Sequence, residues 1–243
     1  MTTNVCDLVS GVLTSDTRWS RESGGWLIYV DDTGYDKIAY DKKLAFLFAG
    51  DLDNIDSWKN WVFSGRPDPM PIAKLSGMSV IIVDTKASKL VFQSHPTLPR
   101  SVFGPSVKAI YAGTGAEYAK DCWDKNKCAM KAVESAKIQD PRSGGIVVYF
   151  KCKNRENNIL TKVTQSEVKE LAKTKGYIVR MNDTKAPVSV QEAANDSANP
   201  AAQAMANLVL SGGVSFSAPF PEMDTPWSEE KIKEFKDVMA AYD

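Results

Sequence analysis

The chain has 243 residues, 43% of them hydrophobic and 25% charged, which suits one large globular domain or one domain with an appendage. Its 30 Lys and Arg balance its 30 Asp and Glu, so no global field draws it to nucleic acid or to an anionic membrane surface. The opening MTTNVCDLVSG lacks the basic and apolar regions of a signal peptide, and no stretch reaches the roughly 18 apolar residues of a membrane span, so the expected location is the cytoplasm.

The first fifty residues read as strands in successive hairpins: Thr3 to Val9, Val12 to Asp16, Trp26 to Val30, and Asp36 to Phe48 turning at Asp41-Lys42-Lys43. Between Asp51 and Gly65 the apolar Leu52, Ile55, Trp58 and Val62 fall at helical spacing, which places a strand-to-helix switch at Ala49-Gly50. SVIIVD and KLVFQ are two further strands, and Val107 to Tyr111 is a third. Helices are expected over Ala116 to Trp123 and Cys128 to Ile138, then strands over Gly145 to Lys151 and Ile159 to Val163. TQSEVKELAKTKG reads as a helix with a Thr164/Glu167 capping box and a stop at Gly176. Such segregated blocks indicate an α+β fold in layers. From about Asn182 to Pro221 the composition turns to Ala, Asn, Ser, Pro and Gly, with few large apolar residues except around Met205 to Leu210, the mark of a linker or a loosely packed extension. The last helix is expected to start at Thr225 as N-cap with Pro226 in its first turn, and to dock through Ile232, Phe235, Val238 and Met239.

His95 is the sole histidine. It cannot build an HExxH zinc site, and no GxSxG elbow accompanies it, so hydrolytic chemistry here must find another base. Cys6, Cys122, Cys128 and Cys152 have neither CxxC spacing nor a paired histidine and read as small buried hydrophobes. Thr2 follows a methionine that a small second residue allows to be removed, which would leave an amine and a hydroxyl on one residue. An α-amine titrates near 7.7–8.0, so about a tenth is neutral at pH 7 and can act as a base. Asp16, at a strand end beside the first strand, can hold an ammonium group, and an inward-facing Lys37 would need such a partner. Gly50 lets a substrate approach the backbone and offers its N–H to an oxyanion. Thr114 stands in a glycine turn, and Asp140 and Ser143 lie three apart ahead of a glycine pair.

In order, TTNV, SDTR, DKI, FAGD, GTGAEYA and DPRSGG resemble the successive signatures of proteasome β-type subunits and their bacterial relatives, over Thr2 to about Lys153. That resemblance implies a four-layer αββα sandwich of N-terminal nucleophile hydrolase type spanning residues 1–181, followed by a C-terminal extension, 182–243, that ends in a helix. It implies a threonine peptidase with Thr2 as nucleophile and its amine as base, Asp16 and Lys37 tuning both, Gly50 as oxyanion donor, and Asp140, Ser143 and Thr114 orienting the N-terminal residue. A peptide or unfolded-protein substrate and a homo-oligomeric ring or stack follow, with no cofactor or metal; an ATPase partner is known for relatives. Trp19 stands where the family has a small residue near its specificity pocket, Ser20 keeps a hydroxyl for the substrate backbone, and Phe48 and Leu52 add bulk around Gly50. Two alternatives remain: a small-amide hydrolase with a narrowed pocket, and a non-catalytic scaffold, marked by a retained Met1 or by an extension that plugs the cleft.

Overall fold

A computed structural model describes residues 2–160, 163–181, 186–221 and 223–242. Its first strands, β1 (Asn4–Asp7) and β2 (Val12–Asp16), pair across a turn containing Gly11 at φ +67°, a left-handed conformation that costs glycine little. β3 (Trp19–Ser23) pairs with β4 (Trp26–Val30), and β5 (Ile38–Tyr40) with β6 (Leu44–Asp51). β6 runs directly into α1 (Leu52–Phe63), capped by the Asp51 carboxylate, which accepts from the N–H groups of Asp53 and Asn54. There follow β7 (Met78–Asp84), β8 (Lys89–Gln93), β9 (Arg100–Phe103), β10 (Ser106–Ala112), α2 (Ala116–Asn126), α3 (Ala129–Gln139), β11 (Val147–Lys151), α4 (Gln165–Lys175), β12 (Tyr177–Arg180) and β13 (Val188–Ser189). The chain closes with α5 (Val190–Ala194), α6 (Pro200–Leu210), β14 (Ser217–Ala218) and α7 (Glu229–Ala241).

The strands build two antiparallel sheets. One has the order β11-β2-β1-β10-β9; the other runs β13-β12-β4-β3-β14-β6-β7-β8, with β5 also on β6. Because successive strand residues face opposite ways, each strand feeds two cores. Cys6, Leu13, Ile110 and Phe150 of the smaller sheet meet Ile38, Leu47 and Ile81 of the larger one in a core between the sheets. Their neighbours Val5 and Tyr111 pack under α2 and α3 against Trp123 and Val133. On the far side of the larger sheet, Phe46, Phe48 and Ile82 pack with Ile55 and Trp58 of α1, Val168 of α4, Ala206 of α6 and Phe235 of α7. The fold is thus mixed α+β, built on two antiparallel sheets with helices packed against them.

Four local expectations are corrected. Ile159, Leu160 and Val163 are not in a strand, since the backbone there is engaged by side chains such as Asp36, which accepts from the Leu160 N–H at 2.9 Å; Thr161 and Lys162 lie outside the described residues. The stretch expected as a linker or loosely packed extension carries α5, α6 and β14 between 186 and 221, because its small residues include enough buried apolar ones (Val190, Ala202, Ala206, Val209, Phe216) to join the core; 182–185 lie outside the described residues. α7 is capped by Ser228, whose hydroxyl accepts from the Lys231 N–H, and not by Thr225; Pro226 precedes the helix. Cys6 and Cys152 are buried, but Cys122 and Cys128 are only half-buried, being on the α2–α3 outer layer.

Candidate functional site

The site forms where the ends of two paired strands and the start of a third meet. The register of β1 on β2 sets Asn4 opposite Ser15, so the two residues before β1 run past the end of β2, where the Asp16 N–H donates to the Thr3 carbonyl at 3.3 Å. Thr2, Asp16 and Lys37 are all fully buried. The Thr2 hydroxyl donates to Asp16 Oδ1 at 2.5 Å, and the Thr3 N–H donates to the same oxygen at 2.9 Å. Lys37 Nζ donates to Asp16 Oδ1 at 3.0 Å and to the Asp16 carbonyl at 2.8 Å. The other carboxylate oxygen accepts from the N–H groups of Gly144 at 3.0 Å and Arg18 at 3.3 Å. A buried carboxylate is tolerated only when its lone pairs are filled in this way. Burial pushes the Lys37 ammonium below its ordinary pKa, against the pull of Asp16. Lys37 therefore reaches the Thr2 hydroxyl through the Asp16 oxygen they share.

Asp140, Ser143 and Thr114 also come together, but one residue further along the chain. Asp140 Oδ2 accepts from the Thr114 hydroxyl at 2.8 Å and from Ser143 at 2.9 Å, and Ser143 Oγ lies 2.7 Å from the hydroxyl of Thr3. The contact of this pair is thus with Thr3, whose peptide N–H and hydroxyl are both held. The Thr2 carbonyl accepts from the Gly115 N–H at 3.4 Å, and a Cβ on Gly113, itself at φ +93°, would stand 1.9 Å from that carbonyl oxygen. Only glycine admits the GTG turn this close to Thr2. Met1 lies outside the described residues.

Trp19 is buried beneath Lys37, with Nζ 5.3 Å from its ring centre, and its indole N–H donates to the Tyr35 carbonyl at 2.8 Å. The next carbonyl, of Asp36, accepts from Lys59 of α1, whose ammonium also lies 3.7 Å from the Tyr35 ring centre. Both peptide carbonyls leading to Lys37 are thus held by buried donors, a role for Lys59 that sequence reasoning missed. Its place on the buried Ile55/Trp58/Val62 side of α1 was the available signal, because a lysine there must find acceptors.

Burial lowers the Lys59 pKa from 10.5 to about 8, although Asp36 and Asp56 pull it up. Below about pH 8 it is charged in folded and unfolded chains alike, and its burial carries its full cost. Between about pH 8 and 10.5 the unfolded chain holds more protons, so the contribution of this group to stability rises with pH, by at most about 1.4 kcal/mol per unit. Urea midpoints of the natural chain and of Lys59→Met, compared from pH 7 to 10, are expected to show a steeper rise for the natural chain; parallel curves would refute the assignment.

Gly50, with φ +130°, is the buried penultimate residue of β6; Phe48 and Leu52 on either side of it are buried too. The Phe48 N–H donates to the Lys37 carbonyl at 2.8 Å, and its carbonyl accepts from Asn4 Nδ2 at 2.7 Å. Phe48 and Leu52 belong to the core on the α1 side, as does Trp19. The gap between β3 and β6, flanked by Ser20 and Gly50, is filled by β14: Ser217 pairs with Ser20 on one edge and with Asp51 on the other, and Ala218 pairs with Gly50. The composition of 182–221 gave no sign of this strand, which is two residues long and owes its form to the edges it joins. Among the described residues, no group of three or more His, Cys, Asp or Glu is placed to hold a metal ion, and no helix is long and apolar enough to cross a membrane.

No family model matches the chain, and no curated protein matches it. Among solved structures it is similar to Thiobacillus denitrificans BPH in complex with epoxomicin, at TM-score 0.43 and 16% identity, over 62% of this chain and 97% of that one.

Proposed function

We propose that the chain is a proteasome-type threonine peptidase, with an αββα sandwich of the N-terminal nucleophile hydrolase kind over residues 1–181 and the extension 182–243 added to it. The observation that carries this reading is the buried Thr2–Asp16–Lys37 cluster, with the Thr2 hydroxyl 2.5 Å from a carboxylate oxygen that a buried ammonium shares at 3.0 Å. A purely structural threonine has no need of a buried ion pair, which seldom repays its desolvation.

With Met1 removed, the Thr2 oxygen attacks a peptide carbonyl and its proton passes to the Thr2 amine. The tetrahedral oxyanion is stabilised by the Gly50 N–H. On collapse the C–N bond breaks, the amine returns the proton to the leaving nitrogen, and water then hydrolyses the Thr2 ester. Asp16 orients the hydroxyl, Lys37 supplies positive charge beside it, and Asp140, Ser143 and Thr114 hold the backbone at Thr3. The reading includes a homo-oligomeric ring or stack that encloses the site, with peptides or unfolded chains as substrates.

The test is intact mass before and after a peptide epoxyketone, which needs both the amine and the hydroxyl of an N-terminal threonine. Loss of Met1 with a single adduct, absent in Thr2→Ala, is expected; an unlabelled chain that retains Met1 would sink the reading. A second reading, a non-catalytic scaffold, is favoured by one observation: β14 lies in the gap a substrate would enter.

A further inference from the structure

The larger sheet would divide between β3 and β6 were β14 absent, because among the described strands β14 alone pairs with both. Along β6, hydrogen bonds alternate in direction: Asp51 donates to Gly77 on the β7 side, whereas Leu52 donates to the Phe216 carbonyl at 3.1 Å on the β14 side. Two residues back, the Gly50 N–H therefore also points toward β14, where its partner in the ladder is Ala218. The Gly50 N–H, which the catalytic reading gives to an oxyanion, thus faces a residue of the chain's own C-terminal segment. Phe216 and Phe220 anchor that segment. Phe216 is buried in the core with Trp19 and Leu52, and Phe220 is buried with its ring 5.1 Å from that of His95. Pro219, between them, has no N–H to offer either edge, so regular pairing stops at Ala218. Pro221 then borders a small hollow with Gly113 and Thr114 beside Thr2.

We infer that the β3–β6 gap is a binding cleft for extended peptide and that residues 216–220 are its resident occupant, a competitor that an incoming peptide must displace. Two parallel open edges, a strand of two residues held by both, and aromatic anchors at each end are what strand addition of a peptide requires. The inference rests on the peptidase reading only for the consequence that displacement frees the Gly50 N–H for an oxyanion. An internal occupant reduces the apparent affinity for any peptide by the fraction of time it is absent. Ser217→Pro removes the N–H that faces Ser20 and raises that fraction.

The experiment uses the full chain and acetyl-Val-Ser-Phe-Ser-Ala-amide, the sequence of residues 214–218. In a Thr2→Ala background, the peptide is expected to bind Ser217→Pro at least tenfold more tightly than the unaltered segment; equal affinity, or no binding to either, overturns the inference. Should Ser217→Pro not fold, hydrogen exchange decides it: excess peptide is expected to expose the amides of 216–218 in the chain with its natural segment, and unchanged protection overturns the inference. With Thr2 present, epoxyketone labelling is expected to be at least tenfold faster in Ser217→Pro. Adducts formed at equal, measurable rates in both chains overturn the occupant and leave the peptidase reading intact. Tighter peptide binding with no adduct supports the occupant and removes the peptidase.

Discussion

Asp16→Ala is expected to lower stability by about 3–5 kcal/mol, because it leaves the buried Lys37 ammonium without its counter-charge and strips a partner from Thr2, Thr3, Arg18 and Gly144. Lys37→Met alone costs somewhat less, since the carboxylate keeps its N–H and hydroxyl donors. The double substitution Asp16→Leu with Lys37→Met is expected to recover most of the loss, as an apolar pair of similar volume replaces two buried charges. Urea unfolding of the natural chain, Asp16→Leu, Lys37→Met and the double variant measures the coupling. Additive losses would mean that the pair is not coupled as the 3.0 Å separation implies. The same double variant is expected to be inactive, which separates what the pair does for chemistry from what it does for the fold.

Thr2→Ala is expected to lower kcat/KM on a fluorogenic peptide by at least about 10⁴, the scale seen when a nucleophile that acts together with its base is removed. Thr2→Ser keeps the oxygen and the amine and is expected to retain activity within about tenfold, the methyl group serving mainly to fix the hydroxyl's rotamer. Measured after removal of Met1 has been verified by mass, the two variants discriminate chemistry from packing. Equal activity in Thr2→Ala and the natural chain would assign turnover to a contaminant or to another residue. If activity is low in all three and rises with Ser217→Pro, the occupied cleft limits the enzyme.

Local sequence determined the first hairpin, the strand-to-helix switch at Gly50, the helices of GTGAEYA and the capped helix at Thr164, because periodicity and capping act over a few residues. It also brought Thr2, Asp16 and Lys37 into view, and these do meet: the short turn between β1 and β2 sets Thr2 beside Asp16, while Lys37 arrives from the other sheet, just ahead of β5. Tertiary structure decided the remainder. Ser143 meets the hydroxyl of Thr3, which depends on how the end of α3 packs beside the smaller sheet. Lys59 reaches the Asp36 carbonyl only because α1 folds back over the residues that lead into β5. The pair Ser217-Ala218 has no strand signal of its own: Ala and Ser disfavour neither strand nor loop strongly, and the backbone groups of β3 and β6, far earlier in the sequence, make it a strand. A segment whose conformation is dictated by open edges cannot be read from its own residues, because the hydrogen bonds that define it belong to its partners.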